Sequence, residues 1–159
     1  MLSVNLSGKV IDDPDLLGFI TSALARHDVK AERLIFEITE TQAVENTGAA
    51  VDLIRRVTEL GCRFALDDFG SGFASYQYLK ELPVDLVKID GTFIRNMAMD
   101  DADRVFVRAL AEVAQGLGKQ TVAEFVEDET TLEMLRVLGV DYAQGYHVGR
   151  PRKHIAPHL

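Results

Sequence analysis

Sulfur and positive charge are both scarce in this chain. It holds one cysteine, Cys62, in 159 residues, so no internal disulfide can form. A reducing compartment fits that count, and the place of Cys62 at the start of an expected strand points to an ordinary buried thiol. Lys and Arg number 17 against 25 Asp and Glu, a net charge of −8. That balance excludes a broad surface for a nucleic-acid polymer or an anionic membrane. It leaves room for an anionic ligand, because bound metal ions can reverse the sign of one pocket. No apolar run is long enough to span a bilayer, and no signal peptide opens the chain. A cytoplasmic location is expected, without membrane contact by this segment. Low-complexity tracts and interdomain linkers are lacking too, and 159 residues suffice for one domain with a real core.

What is present centres on Phe64-Ala65-Leu66-Asp67-Asp68-Phe69-Gly70-Ser71-Gly72. An apolar run of strand type ends in two adjacent carboxylates, then a Gly-Ser-Gly turn. Neighbouring carboxylates repel unless a positive charge sits between them, and hard divalent cations prefer such oxygen ligands. The turn lacks the third glycine of a dinucleotide fingerprint, and bare carboxylates would repel a phosphate. A metal held by the carboxylates on one side and a phosphate on the other removes that conflict. A second reading stands beside it: Asp67 as a helix cap and Asp68 as a solvated side chain.

Along the chain, strands and helices alternate. Strands are expected at 2–6, 34–38, from about Cys62 to Asp67, and at 85–90, 121–124 and 140–143. Asp13-Pro14 reads as a cap with proline in the first turn of a helix running to about His27. Helices follow from about Asn46 to Leu60, with an apolar face at Leu53, Ile54, Val57 and Leu60, and from Tyr76 to Glu81. Another spans Asp101 to Leu117, its face made by Phe106, Leu110, Val113 and Leu117. Asp128 caps the last, which stops at Leu138. Leu60-Gly61, Leu117-Gly118 and Leu138-Gly139 each close a helix, and a strand follows each within a few residues. Repeated helix-Gly-strand units of this length imply parallel strands joined by crossover helices, an α/β fold.

Asn5, Glu37, Asp67, Lys88, Glu124 and Gln144 each fall at the C-terminal end of a different expected strand. In a parallel α/β fold those ends face the same way, and in a barrel they converge on one mouth. One such residue is ordinarily a cap, but six in succession are hard to assign to capping. Carboxylates from Glu37, Asp67, Asp68 and Glu124 with the neutral oxygen of Asn5 suit two Mg²⁺ or Mn²⁺ ions. No Cys or His stands at these positions, which excludes a structural zinc site. A metal pair flanked by a Lys and a further Glu supplies what is needed to activate water against a phosphodiester.

These residues carry a family resemblance. Val4-Asn5-Leu6-Ser7, Glu37-Ile38-Thr39-Glu40, Asp67-Asp68-Phe69-Gly70-Ser71-Gly72, Lys88-Ile89-Asp90, Ala123-Glu124-Phe125-Val126-Glu127 and Asp141-Tyr142-Ala143-Gln144-Gly145-Tyr146 stand in family order and spacing. The chain resembles the EAL domain, a bacterial phosphodiesterase that linearises the second messenger cyclic di-GMP to pGpG. The resemblance implies a TIM-like (β/α) barrel with two Mg²⁺ or Mn²⁺ ions at its mouth. Asn5, Glu37 and Asp67 would hold one ion. Asp67 as a bridge, Asp68 and Glu124 would hold the other. Lys88 would orient and polarise the attacking water, with Glu124 as the family's base. Asp90, Glu127 and Gln144 would act around the metal site or position water. Glu40 would pin the loop from Asp68 to Ser75, which in this family couples metal binding to dimerisation, so a homodimer is expected. Gly145-Tyr146 would shape the pocket floor.

Two departures from the family pattern matter. Its Glu-Ala-Leu segment, with a metal-binding Glu, should precede Asn5, yet Met1 stands four residues before it. The first two barrel strands are therefore expected to be missing, giving an incomplete barrel over 1–149 and a loosely attached tail over 150–159. Such a chain is expected to be marginally stable, to self-associate, or to belong to a longer parent. The second departure is Phe125, where the common motif has Gly. It lies outside the ligand set and is expected to matter little.

His147, His154 and His158 near Arg150, Arg152 and Lys153 read as a solvated terminal segment. Phe69, Phe73, Tyr76 and Tyr78 read as packing under the loop or at a dimer contact. Three functions compete: a cyclic di-GMP phosphodiesterase; a catalytically silent module that binds the same nucleotide; and a phosphoacceptor receiver domain. The last needs its acid pair on the first strand, and the order here does not fit. The motifs favour the enzyme for a parent protein, while the missing start favours the binding module for the chain as it stands.

Overall fold

The structure, a computed structural model, describes residues 1–72 and 76–153. Contacts divide the chain into two units, Met1–Leu86 and Val87–Leu159. Each is built by the same alternation of strand and helix.

In the first unit, β1 (Leu2–Asn5), β2 (Leu34–Thr39) and β3 (Arg63–Phe69) lie side by side in chain order. Both pairings are parallel, with Asn5 level with Glu37, Glu37 level with Ala65, and Thr39 level with Asp67. Ile35, Phe36 and Ile38 of β2 and Phe64, Ala65 and Leu66 of β3 are all buried, as befits parallel strands covered on both faces. Helix α1 (Leu16–His27) leads into β2, and α2 (Glu40–Glu45) and α3 (Thr47–Glu59) join β2 to β3. The α3 face of Ala50, Leu53, Ile54 and Val57 is buried, at helical spacing, and α3 packs on β3. Helix α4 (Tyr76–Glu81) then leads to β4 (Leu86–Ile89), which opens at the last residue of this unit.

In the second unit, α5 (Gly91–Asn96) and α6 (Asp101–Gly116) precede β5 (Gln120–Ala123). Helix α7 (Glu129–Val137) joins β5 to β6 (Tyr142–Ala143), and these two strands are also parallel. The face α6 buries is Val107, Leu110, Ala111 and Ala114, turned slightly from the expected one. Phe106 instead stacks on Phe93 of α5, ring centroids 4.3 Å apart. The expected glycine stops hold. Gly61, Gly118 and Gly139 have φ of +89°, +71° and +80°, the left-handed conformation in which a Cβ is strained.

Four differences from the sequence reading have local causes. Asp13 does not cap α1; its carboxylate accepts from the Asp15 amide at 2.9 Å, and the helix starts at Leu16. Helix α2 is an added element, started by a capping box in which Thr39 accepts from the Gln42 amide and Gln42 accepts from the Thr39 amide. Such a cap contributes about 1 kcal/mol. Helix α5 is added too, started by Asp90, whose carboxylate accepts from the Thr92 amide at 2.7 Å. Strand β6 is shorter than expected because the Asp141 carboxylate accepts from the Thr121 amide at 2.7 Å. Cys62 is buried, and burial pushes its thiol pKa up, away from the reactive thiolate. Among the described residues, no helix is long and apolar enough to cross a membrane.

Candidate active site

Side chains alternate between the two faces of a strand, and the observed register therefore decides which ones share a face. In the first unit, Asn5, Glu37 and Ala65 are level on β1, β2 and β3, and Asp67 lies two residues beyond Ala65. Asn5, Glu37 and Asp67 thus project from one face of three adjacent strands, at their C-terminal ends. Glu37 and Asp67 are buried there, 3% and 9% exposed, which is unusual for carboxylates and marks a site that gathers negative charge. Asp67 accepts from the Asp68 amide at 3.1 Å. The backbone turns at Asp68, with φ +55°, so the second carboxylate does not continue the strand alternation. Carboxylate oxygens of Asp67 and Asp68 come within 4.8 Å of each other.

Glu40 belongs to the same structure. It is 1% exposed in the first turn of α2, and its Oε2 accepts from the Gly70 amide at 2.8 Å. A buried carboxylate thereby holds the turn that follows the acid pair. Burial, and then the negative charge of Glu40, push the Tyr78 phenol well above its ordinary range. Phe69 is buried and Tyr76 is mostly exposed. Phe73 and Ser75, as well as His154 and His158, lie outside the described residues.

In the second unit, β4 presents Lys88 and the end of β5 presents Glu124. Both are buried, and Lys88 Nζ lies 2.8 Å from Glu124 Oε1. A cavity of about 370 Å³ opens beside Glu124, lined by Phe125, Glu127, Gln144 and Tyr146 together with Arg95 of α5. It exists because the chain after β6 extends the strand pairing. The Gln144 amide donates to the Ala123 carbonyl at 2.8 Å, the Val126 amide to the Gln144 carbonyl at 3.0 Å, and the His147 amide to the Val126 carbonyl at 3.0 Å. The approach is so close that a Cβ on Gly145 would lie 2.2 Å from the Val126 carbonyl oxygen. Asp90 lies at the end of β4 and caps α5. His147 contacts Glu129 at 2.8 Å. The hydrogen bond from the Thr131 amide holds the Asp128 carboxyl below the usual range. That cap supports α7 fully above the ordinary carboxylate range and loses its contribution as pH falls through the lowered value.

The φ of Phe125 is +53°, left-handed backbone that a bulky side chain rarely adopts and that Gly adopts freely. Its ring lies against Gly91, where a Cβ would come within 2.1 Å, and under the Arg95 guanidinium, 3.9 Å from the ring centroid. Arg95 went unnoticed in the sequence because α5 did. The one available signal was Asp90-Gly91, a cap followed by a residue that leaves room for a ring.

The EAL domain family model matches residues 1–151. The chain is 44% identical over 151 residues to the cyclic di-GMP phosphodiesterase PdeB of Shewanella oneidensis, covering 95% of this chain and 18% of that protein. It is 39% identical over 150 residues to the cyclic di-GMP phosphodiesterase PdeF of Escherichia coli, covering 94% of this chain and 20% of that protein. The chain thus spans about a fifth of the length of these curated relatives. Among solved structures, it superposes on a PaMucR phosphodiesterase in complex with c-di-GMP with a TM-score of 0.88 at 36% identity, covering 94% of this chain and 60% of that one. It superposes on the FimX EAL domain of Pseudomonas aeruginosa bound to c-di-GMP with a TM-score of 0.90 at 29% identity, covering 96% and 63%. The fold class is accordingly the TIM-like α/β barrel of these domains, of which this chain spans part. By sequence and by fold, the chain belongs to the EAL domain family.

Proposed function

We propose that this chain carries the catalytic residues of a metal-dependent phosphodiesterase that hydrolyses cyclic di-GMP to linear pGpG. The single observation that carries the reading is the buried Lys88–Glu124 pair beside a cavity that also holds Glu127 and Gln144. A buried ion pair contributes little to stability compared with apolar packing, so its presence at a cavity points to chemistry. The names of the relatives supply the substrate.

The donor set fits two Mg²⁺ or Mn²⁺ ions. It consists of oxygens only, with two buried carboxylates and an amide on one face of β1, β2 and β3. Asn5, Glu37 and Asp67 would hold one ion, and Asp67, Asp68 and Glu124 the other. When bound, such ions lower the pKa of water and neutralise charge on the phosphate.

The residues of the chain do the rest. Lys88 orients the attacking water through its ammonium group, and Glu124 takes the proton of that water. The water oxygen bonds to phosphorus as the bond to the ribose 3′ oxygen breaks, and that oxygen takes up a proton from solvent, which leaves a free 3′ hydroxyl and a 5′ phosphate. Glu127 and Gln144 line the cavity and fix the position of water, and Asp90 secures the start of α5. Glu40 holds the turn after the acid pair and, in a cytoplasmic homodimer, would link that turn to the dimer contact. The working domain covers 1–149, with 150–159 as its tail.

Incubation with cyclic di-GMP and Mn²⁺, followed by chromatography, is expected to show pGpG that disappears with chelator. Binding without product would replace the enzyme by a nucleotide-binding module. Lys88→Ala is expected to slow turnover about 10²-fold or more, the size of a lost proton-transfer or orienting group, with nucleotide affinity changed only a few-fold. A large loss of affinity at unchanged turnover would remove Lys88 from the chemistry.

A further inference from the structure

We propose that Phe125 is a positioning residue: its ring, seated against Gly91 and Arg95 on α5, ties the end of β5 to the end of β4 and so holds Glu124 in place against Lys88. This rests on the function proposed above and adds to it the contact that fixes the geometry of the reacting pair.

Three observations carry it. The first is the place of the contact in the chain. Phe125 follows Glu124 directly, and Gly91 stands three residues after Lys88, at the start of α5. The ring therefore joins the two segments that leave the reacting pair, whose Nζ–Oε1 distance is 2.8 Å. The second is the fit. A Cβ on Gly91 would lie 2.1 Å from Phe125 Cδ2, so glycine leaves the space that the ring fills. Arg95, four residues on and on the same face of α5, lies 3.9 Å from the ring centroid. One helix face thus holds the ring at two points, although 47% of the residue stays exposed. The third is the backbone. Phe125 holds φ at +53° against the preference of a bulky residue, and its contacts with α5 offset that strain. The turn they maintain begins at the residue after Glu124. Asp90 completes the join from the other side: its carboxylate accepts from the Thr92 amide at 2.7 Å and fixes the first turn of α5 to the end of β4. Catalytic groups act only near their productive geometry, and a shift of about 1 Å can cost about 10²-fold in rate.

The test measures turnover at saturating cyclic di-GMP with Mn²⁺, affinity for the nucleotide with Ca²⁺, and thermal melting. Phe125→Gly suits the left-handed backbone and is expected to fold, with a melting temperature within a few degrees of the parent. Its turnover is expected to fall about 10-fold or more, with affinity changed by less than about 3-fold. Phe125→Tyr, which keeps the ring, should turn over within about 3-fold of the parent. Gly91→Ala, which displaces the ring, should slow turnover like Phe125→Gly, and should add nothing in the Phe125→Gly background. In Lys88→Ala, where the pair is already broken, Phe125→Gly should change the remaining turnover by less than about 2-fold. Unchanged turnover in Phe125→Gly, an equal loss with and without Lys88, or a loss of affinity in place of turnover overturns the inference and leaves the proposed function standing. A parent protein that makes no pGpG overturns both.

Discussion

Asp67→Asn is expected to abolish cyclic di-GMP hydrolysis, with turnover reduced about 10³-fold or more. The size follows from the several kcal/mol that bound divalent ions contribute to the transition state, at about 1.4 kcal/mol per factor of ten. The substitution is nearly isosteric. Its amide oxygen can still accept from the Asp68 amide, which Asp67 does at 3.1 Å. What it removes is one negative charge from a position 9% exposed, on the same face as Asn5 and Glu37. An assay of product formation over a range of Mg²⁺ concentrations checks the loss. Near-parent turnover at saturating Mg²⁺ would remove Asp67 from the ion site.

Gly145→Ala is expected to destabilise the protein by about 3 kcal/mol, the upper part of the overpacking range. An added Cβ would meet the Val126 carbonyl oxygen at 2.2 Å and the Val126 nitrogen at 2.3 Å. Both are backbone atoms that cannot rotate away as a side-chain end would. Relief requires that the segment after β6 move off the end of β5, breaking the bonds at 3.0 Å that Val126 makes to Gln144 and His147. Gln144 and Tyr146 would move with it, so turnover should fall as well. Chemical denaturation of parent and variant measures the loss, and a change under about 0.5 kcal/mol, the range of ordinary surface substitutions, would contradict the observed close approach.

The alternation of strands and helices was legible because three Leu-Gly pairs mark helix ends and apolar runs of strand length follow them. Parallel pairing then made Asn5, Glu37 and Asp67 meaningful as strand-end residues, since a period of two sets their common face. Short helices were less legible: α4 was expected, but α2 and α5, also of six residues and under two turns, were not, being too short for an apolar period to emerge. Only their caps announced them: Thr39 with Gln42, and Asp90 before Gly91. The shortening of β6 depends on the Asp141 contact to Thr121, between residues far apart in the chain. The same holds for Phe125. Its departure from Gly was visible in the sequence, but its meaning depends on the space left by Gly91 and on Arg95, which only the folded chain supplies.

The central claim is that acidic and amide oxygens from successive parallel strands grip divalent ions for attack on a phosphodiester. Its most direct test is the number of Mn²⁺ ions held per chain, measured by paramagnetic resonance of free Mn²⁺ with cyclic di-GMP present. Two ions are expected for the parent protein and fewer for Asp67→Asn. Retention of no ions by the parent, or of equal numbers by both proteins, would contradict it.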